Sequence, residues 1–173
     1  MDITNTCLGI NEHPAVLGWE YHNIAEIRKF QDSYPRTWIG RDGNFLLSWR
    51  AGHHISGIEV LKKEKKTGNA LYIACAFGIG VKLMEYLGYD VKGIDIKPFY
   101  VKSCIKRGLD VSLDDAFDLQ FPDDTFDITI SRDFLRRDYI HENGIEFSLN
   151  EQHRVLKPGG IAINYSHLDW KSQ

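Results

Sequence analysis

Two acidic residues and a glycine-containing loop hold the most legible chemistry of this chain. Asp95 ends the segment "DVKGIDI". An ionised carboxylate at that place accepts two hydrogen bonds from a ribose diol. Asp95 also precedes Pro98 by three residues, which suits a helix cap, and the two roles are compatible. Asp115, in "LDDAFDLQFPDDTFDITIS", has the chemistry to accept from an adenine amino group, with Ala116 and Phe117 as flat apolar cover. Upstream, "LYIACAFGIG" sets Gly78 and Gly80 between an apolar run and a helical pattern. Such a turn permits close backbone approach and offers free N–H groups to an anion. Leu83 stands where a dinucleotide fingerprint would carry its later glycine. Ser131, Arg132 and Asp133, followed by Tyr139 and His141, form a third group. Asp133 is suited to hold or deprotonate an acceptor, and His141 has an unperturbed pKa near neutrality. A capping role for Asp133 and a surface loop for His141 are the competing readings.

The elements that must position these groups are regular from residue 70 onward. "ALYIAC" reads as a strand, "GVKLMEYLG" as a helix, "DVKGIDI" as a second strand. A helix starting at Pro98 is stopped at Gly108, and "LDVSL" and "FDITISR" are the third and fourth strands. "GIEFSLNEQHRVL" reads as a helix aligning Ile145, Leu149, His153 and Leu156; "KPGG" ends it, and "IAINYS" is the fifth strand. Strands alternating with helices across short turns imply βαβ units, a parallel sheet and helices on both faces. Ligands of such sheets bind beyond the carboxyl ends of the strands, where all three chemical groups fall.

Residues 1–66 are expected to form an N-terminal helical extension, with helices over about 20–34 and 52–66. Its Trp19, Tyr21, Trp38 and Trp49 suit either packing or a lid over the site. Residues 67–173 are expected to form the α/β domain. With 173 residues, 43% hydrophobic and 26% charged, the chain is of ordinary globular composition. A net charge of −3 gives no support for nucleic-acid binding. Cys7, Cys75 and Cys104 are too few and too widely spaced for a disulfide framework or a zinc site, and no spacing supports another metal. No apolar run reaches bilayer length and the N-terminus has no signal-peptide pattern, so the default is a cytoplasmic protein with no membrane association.

Residues 70–165 resemble a class I S-adenosylmethionine-dependent methyltransferase of the small-molecule type. The specific part is "DAFDLQFPDDTFDITIS" followed by "NEQHRVLKPGGIAINYS", which supplies Glu151, Arg154, Val155, Leu156, Lys157, Pro158, Gly159 and Gly160 in the family's order. "GIDI" resembles the family's acidic second motif. The resemblance implies a Rossmann-like, doubly wound, mainly parallel α/β sheet of order 3-2-1-4-5. It implies S-adenosylmethionine as cofactor, and methyl transfer to a small or medium-sized acceptor. It implies cofactor contacts from Ala74, Cys75, Ala76 and Gly78, from Asp95 and Ile96, from Asp115, Ala116 and Phe117, and from Ser131 and Arg132.

The first motif departs from the pattern, reading Tyr72, Ala74, Ala76 and Gly78 where the family has an acidic residue and then glycines. The expectation is a variant working loop, its alanines at ordinary negative φ, with the ligand's amino-acid end held differently by Arg50 or Arg132. The sheet also lacks the family's last two strands. The fifth strand is therefore expected to be an edge, covered by a second copy of the chain, a partner chain or the N-terminal segment. The altered loop and missing strands leave a second reading, a non-catalytic methyltransferase-like domain that binds a partner. A nicotinamide dehydrogenase fits least.

Overall fold

The computed structural model describes residue 61 and residues 67–132, 134–135 and 143–165, all within the unit Leu61–Gln173. Apart from Leu61, the expected N-terminal helices and lid lie outside the described residues, as do Arg50, Asp133, Tyr139 and His141.

β1 spans Asn69–Ile73, and its last four residues are all buried. A central strand of a parallel sheet is covered on both faces, which calls for an unbroken apolar run. α1 (Ile79–Tyr86) leads to β2 (Asp90–Asp95). α2 (Pro98–Ile105) has Pro98 in its first turn, where a missing N–H costs nothing. β3 (Val111–Leu113), β4 (Phe126–Arg132), α3 (Gly144–Val155) and β5 (Leu156–Tyr165) follow.

The strands pair in parallel in the expected order, β3-β2-β1-β4-β5. The chain builds outward from β1 to β3, then crosses back to lay β4 on the other side of β1. Strand order therefore reverses between β1 and β4. Helices cover both faces. Leu71 and Ile73 pack with Val155 of α3 in a core that includes Ile94, Ala116, Leu119 and Phe126. Tyr72, on the opposite face by the strand's period of two, lies against Gly80 of α1. Among the described residues, no helix is long and apolar enough to cross a membrane.

Two features differ from the sequence-based expectation. α3 passes straight into β5, whose pairing jumps from Phe126 opposite Leu156 to Ile128 opposite Ile161. "KPGG" thus bulges out of the ladder, and regular pairing begins at Ile161. The buried stripe of α3 is Gly144, Ser148, Gln152 and Val155, while Leu149 and His153 are exposed. The reason is a polar network. Thr129 Oγ1 donates to Gln152 Oε1 at 3.1 Å, and Gln152 Nε2 donates to Ser148 Oγ at 3.3 Å. Polar side chains can be buried when they satisfy one another, and an apolar count misses such a face.

Candidate functional site

The two acidic residues, the glycine-containing loop and, of the third group, Ser131 and Arg132 meet along one edge of the sheet. Ile94, Ile73, Ser131 and Asn164 are aligned across β2, β1, β4 and β5, and Asp95 is opposite Leu113 of β3. Residues just past this row are therefore neighbours although they are distant in sequence.

Asp95 joins the first two loops. Its Oδ2 accepts the Ala76 N–H at 2.9 Å and its Oδ1 accepts the Lys97 N–H at 2.9 Å. The N-cap of α2 is Lys97, so Asp95 is a tie between loops and not the cap. A carboxylate offers about four lone-pair sites, so each oxygen keeps capacity for a ligand donor. Asp95 is only 7% exposed, while its neighbours Ile96 and Leu113 are 60% and 56% exposed. A carboxylate acceptor thus lies recessed beside bare apolar side chains.

The first loop takes a left-handed path. Ala74, Ala76 and Gly78 have φ of 53°, 48° and 79°. This corrects the expectation of negative φ for the alanines. Both occupy conformations that glycine adopts freely and that carry a steric cost for any residue with a Cβ. Gly80 is glycine for a different reason. A Cβ there would collide with the ring of Tyr72, which is 1% exposed. Tyr72 and Gly80 therefore form a size-matched pair that the sequence reading did not connect.

Cys75 and Cys104 are buried free thiols beside this loop. A hydrogen bond from the Cys75 thiol to the Cys104 sulfur, together with burial, pushes the Cys75 thiol far up, so it stays protonated, and the same bond lowers the Cys104 thiol. The sequence reading weighed Cys104 only for a disulfide or a zinc site, not as a neighbour of this loop. It sits 28 residues from Ala76, and only the crossover of α2 brings them together.

The third loop is anchored at its start and its end. Asp114 N–H donates to Asp95 O at 3.3 Å, and the Asp114 carboxylate accepts the Asp115 and Gln120 N–H groups. Asp115 Oδ1 accepts the Phe117 N–H at 3.0 Å; its Oδ2 makes no hydrogen bond among the described residues. Ala116 packs in the core, and the Phe117 ring lies 5.7 Å from that of Phe134. At the far end Arg154 donates to Leu119 O, Phe121 O and Asp123 Oδ1, each at 2.8 Å. It also grips Glu151 at 2.8 and 2.7 Å, and Glu151 Oε2 accepts the Leu119 N–H. The "E-x-x-R" spacing is thus a one-turn clamp on the loop carrying Asp115. Arg154 and the backbone of Leu119 hold the Glu151 carboxyl below its usual range. At the opposite edge of the sheet, Lys157 Nζ donates to both carboxylate oxygens of Asp127 at 3.0 Å, and Asp127 also accepts the Asn69 N–H.

Ser131 is 1% exposed and donates to Asn164 Oδ1 at 2.6 Å. Arg132, next in β4, is half-buried and already has a partner.

Known proteins match this fold. Residues 71–164, more than half of the chain, match the family model described as a methyltransferase domain. The chain belongs to that family. Ajmaline N-methyltransferase of Rauvolfia serpentina is 35% identical over 115 residues, covering 61% of this chain and 38% of that enzyme. The PH0226 protein of Pyrococcus horikoshii OT3 superimposes with a TM-score of 0.62 at 26% identity, over 80% of this chain and 65% of that one. An S-adenosylmethionine-dependent methyltransferase of Methanosarcina mazei shares the fold, with a TM-score of 0.55, 24% identity, and coverage of 60% and 55%. The chain thus spans well under half the length of its plant relative.

Proposed function

We propose that this chain binds S-adenosylmethionine at the carboxyl edge of its sheet and transfers the methyl group to a small or medium-sized acceptor. The observation that carries the reading is Asp95. Its carboxylate is recessed at the end of β2, tied to the loops on both sides and flanked by exposed Ile96 and Leu113. Those residues fit an adenosine, with ionised oxygens for the ribose diol and apolar side chains for the flat faces of the base. Asp115 Oδ2 is the proposed acceptor for the adenine amino group, with Phe117 as cover. The sulfonium of such a cofactor activates its methyl carbon for in-line displacement. The chain's part is then to align the acceptor. Asp133 and His141 are proposed to hold the acceptor or take its proton. The name of the plant relative specifies N-methylation of ajmaline, which supports an acceptor of that size here.

The amino-acid end of the ligand is the distinguishing question. Tyr72 is buried against Gly80 and brings no charge to that end of the site. This observation favours the second reading, a non-catalytic methyltransferase-like domain that binds a partner. Calorimetric titration with S-adenosylmethionine, S-adenosylhomocysteine and adenosine separates the two. The enzyme reading expects S-adenosylhomocysteine to bind clearly tighter than adenosine. Equal affinities would mean that the amino-acid end has no site, and no affinity for any of them would leave the non-catalytic reading.

A further inference from the structure

A non-glycine residue stays at positive φ only where its surroundings over-determine it. Ala76 is held from both sides. Its N–H donates to Asp95 Oδ2 at 2.9 Å. Its carbonyl accepts from the Cys104 thiol at 3.3 Å, and the Cys75 sulfur stands 4.0 Å from the same oxygen. At the next residue, Phe77 O accepts from Arg107 Nη1 at 3.4 Å, and the guanidinium carbon lies 5.8 Å from the Phe77 ring centre. Cys104 is fully buried in α2, and Arg107 is half-buried in the turn that follows. The space beside the loop is filled, because a Cβ added at Gly78 would collide with Leu109 Cδ1 and lie 3.0 Å from Cys104 Sγ. The end of α2 therefore grips two successive carbonyls of the first loop, and the first belongs to a strained residue.

We infer that Cys104 and Arg107 are positioning residues, which keep the first loop in its left-handed path and thereby present its backbone to the adenosyl ligand. The second half of this inference rests on the function proposed above. The clamp is required because position 76 is alanine. Glycine adopts that path unaided.

The test combines Cys104→Ala, Cys104→Ser and Arg107→Met with Ala76→Gly. Two quantities are read: amide exchange of Ala76 and Gly78 without ligand, and affinity for S-adenosylhomocysteine. Cys104→Ala should speed exchange and weaken binding about three- to tenfold, the range expected for one net hydrogen bond. Cys104→Ser keeps a donor and should recover most of the loss. In the Ala76→Gly background the Cys104→Ala loss should shrink below about twofold, because contacting sites couple. Equal losses in both backgrounds, as simple packing predicts, would overturn the inference. If the unmutated protein binds no S-adenosylhomocysteine, the adenosyl reading fails. The clamp is then decided by exchange alone, and independent effects at positions 76 and 104 would overturn it. Should Cys104→Ala not fold, Arg107→Met carries the same comparison through Phe77.

Discussion

Asp95 and Gly80 have side-chain requirements of opposite kinds. Asp95 must accept the Ala76 and Lys97 N–H groups as well as any ligand. Asp95→Ala strands two donors and removes a charge-assisted contact. We expect it to weaken S-adenosylhomocysteine binding at least about tenfold and to lower stability by about 1–3 kcal/mol, read by calorimetry and denaturant unfolding. Unchanged affinity would remove Asp95 from the ligand site. Gly80, by contrast, must have no side chain, since Tyr72 occupies the space. Gly80→Ala is expected to cost about 1–3 kcal/mol through overpacking. Combining it with Tyr72→Val, which removes the obstructing ring, should cost less than the sum of the two single changes. Strict additivity would show that the two positions are not matched. The place of Asp95 at the end of β2 was legible because an acidic residue ending a strand pattern is a local signal. The Tyr72–Gly80 match was not, because it depends on where α1 lands on the sheet.

At the scale of elements, α3 supplies the Arg154–Glu151 clamp on the loop bearing Asp115. Glu151 titrates below its ordinary value of 4.5 because Arg154 and the Leu119 N–H favour its ionised form. A carboxyl whose folded pKa is lowered adds stability that is present above its unfolded pKa and is lost as pH falls through the folded value. Melting temperatures of the wild type and Glu151→Gln should therefore differ at neutral pH and converge in acid, below about pH 4. A gap that stays constant into acid would show that the charge contributes nothing. The "E-x-x-R" spacing was visible in the sequence, but its target was not. The inward face of α3 was also misjudged, since Gln152 and Ser148 are buried by virtue of Thr129, a partner on another element.

For the whole molecule, β5 is an outer strand of the described sheet, paired on one side with β4, and its Ile161 and Ile163 are half-exposed. An edge of this kind is a template for another strand. The edge is expected to be used in self-association, read as a concentration-dependent mass by sedimentation, or else to be covered by residues 1–50. Ile161→Lys should abolish the self-association, as a charge blunts an edge. A monomer at every concentration, together with an edge left bare to water, would sink both alternatives.

The succession of strands and helices, the parallel sheet and the edge that bears Asp95 and the loops were determined by the sequence alone. Each follows from periodicity and turn residues within a short window, and "RVLKPGG" added a family likeness. Only the tertiary structure decided the sign of φ at Ala74 and Ala76, the fit of Tyr72 against Gly80, the polar face of α3 and the grip of Cys104 on Ala76. These are contacts between segments far apart in the chain. A left-handed alanine is penalised by its own local sterics, so local sequence argues against it, and long-range partners alone can hold it there.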